Sequence, residues 1–94
     1  MTITQKNTNT SGIFIAKEND ITAGEMTYVW AGPDRMIIDH TEVDPPYNGK
    51  GVGNEMVKKA VDYARENKVK ILPLCSFAKS VFDKTPEYND VLAS

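Results

Sequence analysis

Tyr47-Asn48-Gly49-Lys50-Gly51-Val52-Gly53 is the stretch on which the reading of this chain turns. It lies between an apolar run ending at Val43 and a helical pattern that opens at Val52. Glycine at alternate positions leaves the backbone free to turn sharply and lets a ligand come close to it. The helix that follows aims its unpaired N–H groups, and the positive end of its dipole, at the same spot. That combination predicts a bend that holds phosphate, and Lys50 adds a cation inside it.

Upstream of the bend the period is that of strands. Gly12 to Lys17 alternates around Ile13, Phe14 and Ile15, and the Glu18-Asn19-Asp20 cluster marks a turn. Ile21 to Trp30 reads as a long strand with an interruption at Gly24. Ala31-Gly32-Pro33-Asp34 is a second turn, and Met36 to Val43 is the next strand. Short strands joined by tight turns predict an antiparallel meander. Residues 1–11 are polar and lack an apolar period, so they read as a flexible tail with the capacity to straighten into the first strand, ahead of a single domain over 12–94.

Downstream the period changes. From Val52 to Asn67 the residues Val52, Met56, Val57, Ala60, Val61, Tyr63 and Ala64 form one stripe, with charged and amide residues on the other side. Glu55 with Lys59, and Lys58 with Asp62, stand at i,i+4 spacing on the wet face. Val69 to Cys75 is a strand interrupted by Pro73, which removes one ladder donor. Phe77 to Asp83 is a short helix with Ser76 as N-cap, followed by a brief tail through Pro86 and Tyr88. Strand, helix, strand in this order predicts a right-handed crossover between parallel neighbours. The fold class is therefore mixed α/β. Phe14, Tyr28 and Trp30 are candidate core aromatics, with Phe82 and Tyr88 packing the terminal segment.

Composition narrows the function classes. At 94 residues the chain is one small domain, which buries about 60–65% of the surface its unfolded form exposes. So thin a core leaves a homodimer open. A formal net charge of -2 argues against a nucleic-acid partner, which selects for a basic face. The single cysteine makes no internal disulfide, and neither a leader peptide nor a membrane span is legible, so the expected compartment is the cytoplasm. No metal-ligand cluster stands out. Two familiar phosphate loops fail on residues. A Walker-type loop needs Ser or Thr after Gly-Lys, whereas Lys50 is followed by Gly51. A dinucleotide fingerprint needs an acidic residue about twenty positions on, where this chain has the basic Lys68-Val69-Lys70.

The remaining pattern resembles the acetyl-CoA-dependent N-acetyltransferases of the GNAT superfamily. Their coenzyme motif, Gln/Arg-x-x-Gly-x-Gly/Ala between a strand and a long helix, is occupied here by Asn48 to Gly53. Gly51 and Gly53 match, and Asn48 departs from the usual Gln or Arg. The runs His40-Thr41-Glu42-Val43, Tyr47 to Gly53, Leu74-Cys75-Ser76 and Pro86-Glu87-Tyr88 look like a minimal, single-domain branch of that superfamily. The resemblance implies acetyl-CoA or coenzyme A as co-substrate, without a metal. It places the pyrophosphate on the segment Tyr47, Asn48, Gly49, Lys50, Gly51, Val52, Gly53 and Asn54. It places the pantetheine arm along main chain at Thr41 to Val43, in a gap where the flanking strands splay apart. Pro73 suits such a gap, and suits an ordinary edge strand equally well.

His40, Glu42 and Cys75 are the candidate catalytic residues. His40 and Glu42, two apart on a strand, share one face at roughly 7 Å; the alternation puts Met36 and Ile38 on that face too. Glu42 can take a proton from an amine directly or through water. His40, the one histidine, can do so near neutral pH. Either is also readable as structural, His40 as a packing residue and Glu42 as a partner for Lys50. Cys75 ends a strand before a helix, where the dipole stabilises thiolate. It can orient or accept the acetyl group, or be a small buried residue without a role.

Only the Glu18-Asn19-Asp20 turn separates the first two strands, leaving no room for the helices that wall the acceptor pocket in full-length relatives. An open acceptor side fits a protein, peptide or polyamine amine. The expected function is acetyl transfer to an amine, direct or through Cys75. The alternatives are a non-catalytic acyl-CoA-binding or sensing module, and an adaptor that keeps the fold without the ligand.

Overall fold

The computed structural model describes residues 1–93. Its strands are β1 (Thr2–Asn7), β2 (Ser11–Glu18), β3 (Ile21–Trp30), β4 (Arg35–Val43) and β5 (Lys70–Pro73). Helix α1 (Val52–Asn67) joins β4 to β5, and α2 (Ser76–Lys84) follows. Short 3-10 turns occupy Pro45–Tyr47 and Pro86–Val91. The strands form one five-stranded sheet in sequential order. β1 to β4 pair antiparallel, and β5 joins β4 parallel, as the crossover requires.

The β2–β3 turn has a simple local cause. Asn19 and Asp20 both take positive φ, 50° and 67°, the pair of left-handed conformations a tight hairpin demands and short polar side chains tolerate. Helix α1 keeps the bounds that its apolar stripe predicts. It ends on Lys68 in the left-handed region, with the Val69 N–H donating to Ala64 O at 2.9 Å. The i,i+4 pair formed among the described residues is Lys79–Asp83 in α2, at 3.6 Å, rather than either pair on α1.

Residues 1–11 are a correction. Thr2–Asn7 is a complete strand in register with Lys17 to Gly12, not a loose tail. Its inner side is held by polar contacts that no apolar period announces. Gln5 Nε2 donates to Tyr28 Oη at 2.8 Å, and Tyr28 Oη donates to Asn7 Oδ1 at 3.1 Å. Trp30 Nε1 donates to the same Asn7 oxygen at 2.8 Å.

Both helices lie on one side of the sheet. Val52, Met56, Val57, Ala60, Val61 and Ala64 of α1 share a single core with Phe14, Met26, Tyr28, Met36 and Ile38, and with Ala78, Val81 and Phe82 of α2. The alternate strand residues Ile13, Ile15, Val29, Ile37 and Leu72 stand outside that core. The sheet therefore has one covered face and one helix-free face.

Two bulges shift the register, one between Ala16 and Lys17 and one between Thr27 and Tyr28. In the second, Tyr28 faces Ile38 and Thr27 faces His40, so Asp39 is the extra residue of β4. Thr27 Oγ1 donates to Asp39 Oδ1 at 2.7 Å and ties the bulge down. A bulge reverses the side on which every later side chain emerges. Met36 and Ile38 are wholly buried under the helices, and beyond Asp39 the covered side passes to Thr41 and Val43.

Candidate active site

The site begins where β4 and β5 cease to pair. Their ladder ends at Ile38 opposite Pro73. The N–H groups of Leu74 and Cys75 both turn back onto Ile38 O, at 2.9 and 3.2 Å. Proline supplies no ladder donor, so β5 stops there. Beyond this point the two segments no longer pair. Thr41 and Cys75 face each other across the opening, with Thr41 Oγ1 at 3.2 Å from Cys75 Sγ.

At the mouth of the opening lies a cavity of about 330 Å³, lined by Thr41, Val43, Tyr47, Asn48, Gly49, Gly51, Val52, Gly53, Asn54 and Phe77. Gly49 and Gly51 carry φ of 77° and 78°, and a Cβ built on either would meet nothing within 4 Å. Their φ favours glycine, and the space in front of them is free for a ligand. Gly51 caps α1, so the N–H groups of Val52, Gly53 and Asn54 point out of the first turn without intrahelical partners. Donors aimed by a helix dipole into an open cavity fit a diphosphate.

Not every loop residue serves this cavity in the same way. The amides of Asn48 and Lys50 are used internally, donating to Pro45 O at 3.1 Å and Tyr47 O at 3.3 Å. The Lys50 side chain lies over the Tyr47 ring, 5.9 Å from its centroid, and lines a separate cavity with Met1, Thr2, Ile3, Glu55 and Lys59. Gly53 has another role within the helix. A Cβ there would stand 2.4 Å from Cζ of Phe77, so its lack of a side chain seats α2 against α1. Phe77 itself, 38% exposed, forms a wall of the cavity. Its position as the second residue of α2 carried no sequence signal for that role, since only the contact with Gly53 places it there.

The candidate catalytic side chains are divided by the Asp39 bulge. His40 and Glu42 do not share a face with Met36 and Ile38, as unbroken alternation predicts. They emerge on the helix-free side, with side chains 63% and 71% exposed. His40 Nε2 lies 3.4 Å from Glu42 Oε2, so Glu42 is partnered by His40 and not by Lys50. Cys75 is half-buried and is itself the N-cap of α2. Its sulfur, not the Ser76 hydroxyl, accepts the Ala78 N–H at 3.4 Å. Three groups thus surround the opening, Thr41 and Cys75 across it and the His40–Glu42 pair on its far side.

Comparison with known proteins gives the family and the fold. The family model described as GCN5-related N-acetyl-transferase matches residues 13–91. The chain belongs to the GCN5-related N-acetyltransferase family. The NMR structure of a GCN5-like protein from Staphylococcus aureus is 34% identical, with 99% of this chain and 88% of that one covered and a TM-score of 0.75. Two more distant structures share the fold. Ribosomal-protein-alanine N-acetyltransferase from Brucella melitensis biovar Abortus is 14% identical, over 93% of this chain and 64% of that one, with a TM-score of 0.70. A protein from Clostridium acetobutylicum solved with acetyl-CoA is 21% identical, over 81% and 56%, with a TM-score of 0.63. No curated protein matches this chain. Family membership makes it an N-acetyltransferase that uses acetyl-CoA as co-substrate. No helix among the described residues is long and apolar enough to cross a membrane.

Proposed function

We propose that this acetyltransferase passes the acetyl group directly to a primary amine, which reaches the opening between β4 and β5 from the helix-free side. The observation that carries the reading is the end of pairing between those strands after Ile38 and Pro73, with the glycine bend and the α1 N-terminus beside it. The amides of Gly49, Gly51, Val52, Gly53 and Asn54 hold the diphosphate of the co-substrate. Main chain from Thr41 to Val43 orients its arm.

Glu42, or His40 beside it, receives the proton that the ammonium acceptor must lose before its nitrogen becomes a nucleophile. The nitrogen lone pair then forms the C–N bond, the C–S bond breaks, and the coenzyme thiolate leaves, taking up the second proton that the nitrogen sheds as it becomes an amide. Cys75, with Thr41 and the Ala78 amide on its sulfur, lies on the covered side and orients the thioester. That arrangement also favours a second reading, in which the Cys75 sulfur accepts the acetyl group before the amine does.

Release of free thiol from acetyl-CoA with a panel of amines tests the activity. Loss of turnover in Glu42→Gln with retained coenzyme binding is the expected result. Equal turnover in wild type, Glu42→Gln, His40→Gln and Cys75→Ala would remove these assignments, and turnover absent throughout despite tight binding would leave a sensing module. A mass shift of one acetyl group on Cys75 would establish the second reading.

A further inference from the structure

The helix-free face of the sheet is mixed, with an apolar row set among polar and charged residues such as Lys6, Glu25, Thr27 and Lys70. Ile13, Ile15, Val29, Ile37 and Leu72 form that row, half-buried apart from Val29, which is 37% exposed. An exposed apolar patch of this kind on a small domain marks a contact surface. Charge is distributed along it unevenly. Glu25 and Glu42 are cross-strand neighbours at the end next to the opening, with His40 against Glu42 and Asp39 nearby, while the exposed Arg35 stands at the far end of β4 opposite Lys70, whose ammonium is turned to the Asp90 carbonyl. Ile37 lies between. From Glu42 to Arg35 the strand covers about 20 Å, the reach of roughly six extended residues.

We infer that this face receives a polypeptide acceptor, lying extended along β4. Its amine is drawn to Glu25 and Glu42, its aliphatic side chains cover Ile37 and Val29, and a carboxylate meets Arg35. An amine is cationic until it is deprotonated for attack, which the acidic end of the face favours. A flat sheet gives a small free amine no walls, whereas an extended chain uses the whole row. Placing the amine at Glu42 rests on the transferase reading; the docking along the row does not.

The charge at Arg35 provides the test, because this exposed side chain can be reversed without disturbing the core. One fluorescent peptide carries a central lysine, aliphatic residues two and four positions away on both sides, and glutamate six away. Its counterpart has lysine in place of each glutamate. Fluorescence anisotropy should show wild type preferring the glutamate peptide by about fivefold, the scale of one exposed ion pair. Arg35→Glu should invert that preference while leaving acetyl-CoA binding unchanged. Inversion without acetyl transfer to any amine would keep the docking face and remove the transferase reading. Equal binding of both peptides by both proteins would overturn the inference. So would a dimer in sedimentation that Arg35→Glu dissociates, since a second copy would then hold the face.

Discussion

Thr41 Oγ1 and Cys75 Sγ stand 3.2 Å apart across the gap between two strands that have stopped pairing. The contact exists because the Asp39 bulge turns Thr41, rather than His40, toward the covered side. Thr41→Val should therefore slow alkylation of Cys75 by iodoacetamide by about fivefold, the rate equivalent of one hydrogen bond near 1 kcal/mol. Thr41→Ser should restore it. An unchanged rate in Thr41→Val would show that the hydroxyl leaves the sulfur's reactivity alone.

Gly51 separates binding from folding. Its φ of 78° costs any side chain about 1–3 kcal/mol of strain, yet a Cβ would meet nothing within 4 Å. Gly51→Val should stay folded with a lowered melting temperature and lose detectable heat on titration with acetyl-CoA. Retained affinity would dissociate the bend from the ligand.

Gly53 behaves in the opposite way. Alanine improves helix propensity at that position, but its methyl group would stand 2.4 Å from the Phe77 ring. Overpacking should win, and Gly53→Ala should lose about 1–3 kcal/mol in urea unfolding. Pairing it with Phe77→Leu should recover part of the loss, because the clashing ring atoms are removed. Equal losses in the single and double variants would place the cause elsewhere.

The last turn is held by Arg65. Its Nε and Nη2 donate to the two Asp90 carboxylate oxygens at 2.9 and 3.0 Å, and Nη2 also reaches Glu87 O at 2.8 Å. The Arg65 hydrogen bond holds the Asp90 carboxyl below its ordinary 3.8. A carboxyl more acidic in the folded than the unfolded state supports folding above its ordinary value, and that support is lost as pH falls through the lowered one. Asp90→Asn should therefore lower the melting temperature at pH 7 slightly and narrow the gap to wild type below about pH 4. Exposure keeps the effect small. A gap that widens in acid would contradict the assignment.

Much of this architecture could be read from residues, for identifiable reasons. The α1 stripe is long and strongly periodic, so its bounds followed from Val52 and Asn67 alone. Gly49 and Gly51 announced a turn that favours glycine, and Pro73 announced the end of a ladder. What escaped notice depends on contacts distant in sequence. β1 is held by Gln5 and Asn7 against Tyr28 and Trp30, a polar attachment with no apolar alternation. The N-cap of α2 passed from Ser76 to Cys75 because the helix starts one residue earlier, and local spacing could not decide that. The Asp39 bulge had the widest effect, since strict alternation assigned His40 and Glu42 to the wrong side. Nothing near Asp39 signals an inserted residue until Thr27 is placed opposite.

Side-chain direction along a strand is a matter of odd and even, so the inserted Asp39 works as a switch of parity. A frame that lacked this one codon would exchange the inventories of the two sheet surfaces from position 40 onward, sending imidazole and carboxylate inward and threonine out to solvent. Shortening β4 by a single residue should thus be far more damaging than replacing any side chain within it.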